Sequence, residues 1–125
     1  MAPKASNFII DLVVYPFDVM VSIGEPDEVL FKKLKKAGVG YEDIDGAKYE
    51  NIGLARYCLF ASGQSLIRLK KKPVTPNEYG TLQHEIFHTA ASILWRIGAK
   101  LKIKTSDECY AYLIGYLTEE IYKRL

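Results

Sequence analysis

Residues 75–98 read TPNEYGTLQHEIFHTAASILWRIG. The stretch opens on Thr75, Pro76, Asn77 and Glu78. A threonine hydroxyl can cap the first turn, proline suits the first helical position, and a glutamate three residues past the cap can reach back to the cap amide. It closes on Gly98, a residue suited to the left-handed conformation past a helix end. These signals predict a helix from about Pro76 to Ile97. Within it His84 and His88 stand four residues apart, so at about 100° per residue they return to one face, one turn apart.

Downstream, a second long helix is expected from near Ser106 to close to Tyr122. If Thr105 is its cap, Glu108 occupies the capping-box position; if Ser106 is, the carboxylate is free for other work. The spacer between the helices alternates Lys100, Lys102 and Lys104 with Leu101, Ile103 and Thr105, the pattern of the wet side of a short strand or an extended linker. Upstream, Leu54–Phe60 and Gln64–Leu69 flank the turn Ala61–Gly63 and read as a β-hairpin. Phe8–Tyr15 and Phe17–Ile23 are β-rich runs separated by Pro16, which lacks the amide proton a central ladder needs.

Between them and the hairpin, Glu25–Ala37 places Val29, Leu30, Leu34 and Ala37 at helical spacing, with Pro26 in the first turn and Gly38 and Gly40 closing it. Tyr41–Gly53 reads as loop, with at most a short turn of helix. Its Glu42, Asp43, Asp45 and Glu50 lack the register of a calcium loop and read as surface carboxylates. The sum is an α+β fold in one domain over residues 1–125, a small antiparallel or mixed sheet packed on two long C-terminal helices.

A chain of 125 residues that is 49% hydrophobic and 26% charged suffices for one core without disulfide staples. Its formal charge of +2 gives no reason to expect nucleic acid or membrane binding. Cys58 and Cys109 sit among apolar or aromatic neighbours and read as free buried thiols. No export signal and no run of about 20 apolar residues is evident, which makes a cytoplasmic address the expectation.

Both histidines of the chain fall in His84-Glu85-Ile86-Phe87-His88, the His-Glu-x-x-His pattern. There two neutral imidazoles hold Zn2+ and the glutamate next to the first activates a metal-bound water. Zinc lowers the pKa of that water and polarises a carbonyl, and the carboxylate takes the proton and passes it to the leaving amine. Catalytic zinc usually has three protein ligands. With no further histidine, the third must be a carboxylate or, as a weaker choice, a cysteine. Asp107, Glu108, Glu119 and Glu120 follow the main helix; Glu108 is the first choice, since a first-turn residue of an antiparallel neighbour can face inward, and Asp107 is its substitute.

On these residues, with Gln83–His88 and the run Asp107 to Tyr112, the second half of the chain from Ser65 to Leu125 resembles the gluzincin-like metallopeptidases, in particular small phage- and prophage-encoded ones. The resemblance implies a minimal zincin-like fold, a third metal ligand at Glu108, and a strand Gln64–Leu69 at the cleft rim able to pair with an extended peptide. It also implies a tyrosine or histidine at the developing oxyanion; Tyr112 and Tyr116 are the candidates, with Tyr112 the choice. Phe87 and Trp95, eight residues apart on the main helix, most simply share a packing face.

The expected activity is a zinc-dependent peptidase acting on a peptide or protein, with His84, His88 and Glu108 on the metal, Glu85 catalytic and Tyr112 assisting. Assembly with a protein partner or as a homo-oligomer suits so small a chain. The alternative is a non-enzymatic, zinc-stabilised phage structural or protein-interaction domain, with Cys109 or a second carboxylate closing the site.

Overall fold

A computed structural model describes residues 5–51 and 53–125. Four strands, β1 (Ser6–Asp11), β2 (Asp18–Ile23), β3 (Ala55–Leu59) and β4 (Ser65–Leu69), form one mixed sheet in the order β1-β2-β4-β3. The outer pairings, β1 with β2 and β3 with β4, are antiparallel, whereas the central pair β2 and β4 is parallel. Parallel neighbours need a long crossover, and helices α1 (Asp27–Lys36) and α2 (Tyr41–Gly46) lie within it. Helices α3 (Pro76–Arg96) and α4 (Asp107–Tyr122) complete the chain. The fold is α+β, as the sequence predicts.

Strand alternation divides the interior in two. Val19, Val21 and Ile23 of β2 and Ile67 and Leu69 of β4 meet Leu82, Ile86, Ala90 and Ile93 of α3 and Leu113, Leu117 and Ile121 of α4. The intervening Met20 and Leu66 pack with Leu30, Leu34 and Ile44 of the α1–α2 side. Each fully buried Leu or Ile contributes about 1.5–3 kcal/mol relative to exposure, so this period-two division sets the layer order.

The α1–α2 side also encloses charge. Arg68, 0% exposed, donates to Asp27 Oδ1 and the Ala47 carbonyl, both at 2.6 Å, and to the Glu25 carbonyl at 2.7 Å. Its guanidinium lies 4.4 Å from the centre of the Tyr49 ring. Buried Glu25 accepts bonds from Asn7, Ser22 and Lys33. Burial pushes its carboxyl up, but the bonds from Lys33, Asn7 and Ser22 outweigh that and hold it below the usual range.

Four local expectations need correction. The run Phe8–Tyr15 stops being strand at Asp11, whose carboxylate accepts the Val13 amide at 2.8 Å and draws the chain into a turn with Val13 at φ +60°. The expected loop Tyr41–Gly53 holds α2 and a 3-10 turn over Tyr49–Asn51, because Glu42 and Asp43 suit a helix start and Ile44 anchors it in the core; Ile52 lies outside the described residues. The lysine spacer is not a strand. Leu101 and Ile103 are both exposed, so the alternation meets no apolar layer, and Ser106 Oγ ties the segment into turns by bonding the Lys100 carbonyl and the Lys102 amide. Finally, Cys58 and Cys109 are free but half-buried. Among the described residues no helix is long and apolar enough to cross a membrane.

Candidate metal centre

The start of α3 sets the phase of everything on it. Thr75 Oγ1 accepts the Glu78 amide at 3.2 Å, and Glu78 Oε1 accepts the Thr75 amide at 3.0 Å, a complete capping box. Lys71 adds an ion pair to Glu78 at 2.8 Å. The Lys71 ammonium, then the Thr75 amide, hold the Glu78 carboxyl down to about 2. With Leu82, Ile86, Ala90 and Ile93 turned to the sheet, helical geometry sends His84 and His88 to the opposite, exposed face.

The two imidazoles converge there. Their Nε2 atoms are 3.0 Å apart, with ring centres at 4.6 Å and planes at 72°. Two ligands at 2.0–2.1 Å from a tetrahedral zinc ion are separated by roughly 3.3 Å. Donor type and spacing therefore suit two positions of such an ion. Without an ion the same geometry lets one neutral ring donate an N–H to the other.

His88 is also walled. The ring of Tyr57, from β3, lies 6.1 Å away at an interplanar angle of 16°, and Phe87 stands edge-on at 6.0 Å. The Tyr57 hydroxyl donates to Ser92 Oγ, one helical turn beyond His88. Beside this wall an open groove of about 450 Å³ is lined by Leu59, His88, Ala91, Ser92, Trp95 and Arg96.

Glu85 is half-buried on the β3 side of α3. Its carboxylate is felt at Cys58: burial pushes that thiol up, Arg56 opposes, and the charge of Glu85 adds to the rise. Cys58 thus stays a protonated thiol near neutrality and a poor nucleophile.

The remaining predicted site residues lie elsewhere. Glu108 is exposed and lines a groove on α4 with Ala111, Tyr112, Gly115, Tyr116 and Glu119. Tyr112 is 76% exposed there, and the Tyr116 hydroxyl donates to the Asp11 carbonyl at 2.8 Å. Asp107 is half-buried in the first turn of α4. Glu120 is paired with Lys123 and Arg124, and Cys109 donates to the Ser106 carbonyl at 2.8 Å. The cap position of α4 is Ser106, not Thr105, which leaves Glu108 out of a capping box. Among the described residues no three His, Cys, Asp or Glu side chains are grouped to hold an ion. The chain gathers His84 and His88 and does not bring Glu108 to them.

Two expectations about the surroundings change. The strand Gln64–Leu69 cannot form the rim, because β4 has β2 on one side and β3 on the other; the open edge beside α3 belongs to β3. Strand order within a sheet is not written in the local pattern of a hairpin. Phe87 and Trp95 do share a face, but it is the exposed one, at 42% and 62% accessibility. Sequence reasoning missed Tyr57 and Ser92 as neighbours of the pair. Ser92 continues the four-residue row from His84 and His88 and was legible in principle, whereas Tyr57 arrives by a tertiary contact.

Comparison with models of protein families, with curated proteins and with solved structures finds no match for this chain.

Proposed function

We propose that this protein is a zinc-dependent peptidase, hydrolysing an amide bond of a peptide or protein. One observation carries the reading: the convergence of His84 and His88 to Nε2 atoms 3.0 Å apart on an exposed helix face, with Glu85 next to the first. His84 and His88 would hold the ion. A bound zinc ion supplies Lewis acidity and a water that loses its proton near neutral pH. Glu85, half-buried next to the pair, is suited to hold and move a proton there and would serve as the general base and then acid of that chemistry. The open edge of β3 offers backbone donors and acceptors to an extended chain, and the groove at Leu59, Ala91 and Trp95 offers an apolar bed for its side chains. A third ligand is still required, and Glu108 remains the candidate, reaching the pair only by a rearrangement of α4 or from a second copy.

The test is zinc content and affinity for wild type, His88→Ala, Glu85→Gln and Glu108→Ala, alongside hydrolysis of a peptide library. Expected are one zinc per wild-type chain, its loss in His88→Ala, and its retention in Glu85→Gln with hydrolysis reduced at least about 100-fold. Weakened binding in Glu108→Ala assigns it as the third ligand; unchanged binding removes it. Failure of the wild type to bind added zinc sinks the proposal.

A second reading, a non-enzymatic zinc-stabilised interaction domain, is favoured by the exposure of Phe87, Trp95 and Tyr112 on the α3–α4 layer. It predicts zinc binding with no hydrolysis in wild type and no consequence of Glu85→Gln.

A further inference from the structure

An imidazole on an exposed helix face has several χ1 and χ2 settings open to it, and only a few aim Nε2 at a neighbour one turn away. Ordering the ring costs side-chain entropy unless something nearby restricts it. In metal sites that restriction usually comes from a hydrogen bond to the second ring nitrogen. For His88 the structure offers a different restraint.

Tyr57 sits on β3, where its backbone is registered opposite Ile67 of the central strand β4. The far end of its side chain is tied as well, by the hydroxyl bond to Ser92. A ring held at both ends is a fixed wall, and it lies nearly parallel to His88 at 16°. Ser92 belongs to the same i, i+4 row as His84 and His88, so the strand, the tyrosine and the helix face form one braced unit. The contact joins the sheet edge to the helix beside His88.

We propose that Tyr57 is a positioning residue, its Ser92-anchored ring fixing the His88 imidazole with Nε2 turned towards that of His84, so that the pair is preassembled for a divalent metal ion. This inference rests on reading the pair as a metal site. Tyr57 touches no reacting atom in this role. It acts through the orientation of His88. A tyrosine that merely fastens β3 to α3 would affect stability alone, and that difference makes the idea testable.

The experiment measures Zn2+ affinity for purified wild type, Tyr57→Phe and Tyr57→Leu, each checked for folding by thermal melts, with ¹³C relaxation of the His88 ring in the metal-free proteins. Tyr57→Phe keeps the ring and loses its tether to Ser92, and should weaken binding measurably but by less than about 10-fold. Tyr57→Leu keeps apolar bulk and loses the plane, and should weaken binding about 10–100-fold, the range set by outer-shell partners of metal ligands. In the metal-free state the His88 ring should be ordered in wild type and mobile in Tyr57→Leu. Wild-type affinity in a folded Tyr57→Leu overturns the inference. So does the absence of ring-to-ring NOEs between Tyr57 and His88 in metal-free wild type, a measurement that stands even if Tyr57→Leu fails to fold. If wild type binds no zinc, the metal reading falls, while the relaxation and NOE data still decide whether Tyr57 orders His88.

Discussion

Arg68 and the His84–His88 pair are built in opposite ways. Arg68 is sealed under α1 and α2 with an acidic side chain, two carbonyls and a tyrosine ring around it, although its Nε finds no partner among the described residues. The histidines stand on the outer face of the other helical layer, bonded to each other and otherwise walled by rings. A buried charge must be matched within the fold because leaving it unmatched is expensive. An exposed pair of imidazoles carries no such penalty, so its pairing is cheap to break and available to a ligand. Burial of charge here marks architecture; the open pair is where we propose chemistry.

The largest effect should come from the enclosed side. Arg68→Leu removes the donor to Asp27, Ala47 and Glu25 at once; the partly exposed Asp27 carboxylate can turn to water, so the main cost is the two buried carbonyls left unpaired, about 1–3 kcal/mol each. Urea unfolding measures it, and a loss under 1 kcal/mol would erase the contrast drawn above.

An intermediate effect belongs to the capping box, which orients α3 and with it both imidazoles. Thr75→Ala should cost about 1 kcal/mol. The box also has an acid limit. Because the folded carboxyl of Glu78 is depressed from 4.5 to about 2, its contribution is fully present above the unfolded value. It fades as pH falls from 4.5 through 2, and Glu25, also depressed, works in the same direction. Thermal melts between pH 7 and pH 2 should show that decline, shallower in Glu78→Gln. An equal slope in both proteins would assign the acid sensitivity elsewhere.

The smallest effect should come from the histidines. His84→Ala and His88→Ala, each on an exposed face, should shift metal-free stability by no more than about 0.5 kcal/mol. A loss of several kcal/mol would make the pair a structural element like Arg68 and remove the reason to see it as a site.

Legibility followed sequence distance. The helix α3, its capping box and the shared face of His84 and His88 were readable because caps act over three residues and helical faces recur every three or four. The hairpin of β3 and β4 was readable for the same reason. Its placement was not: β4 runs parallel to β2, and that choice depends on how the α1–α2 crossover packs. Hence the local pattern points to β4 as the rim, whereas the open edge is that of β3. Trp95 and Phe87 were correctly grouped on one face, yet whether that face met a core or water depended on where α4 settled. Glu108 follows from a first turn of α4 that faces inward, but that inward face is taken by Tyr110, Leu113 and Leu117.

The sequence by itself therefore determined the elements and the placement of two imidazoles on one face, one helical turn apart, since both rest on local backbone geometry. Only the tertiary structure decided that Tyr57 would wall His88, that Arg68 would be sealed against Asp27, and that Glu108 would stand apart from the pair. Those outcomes depend on how layers share a limited apolar surface, a competition among residues far apart in the chain that no local pattern records.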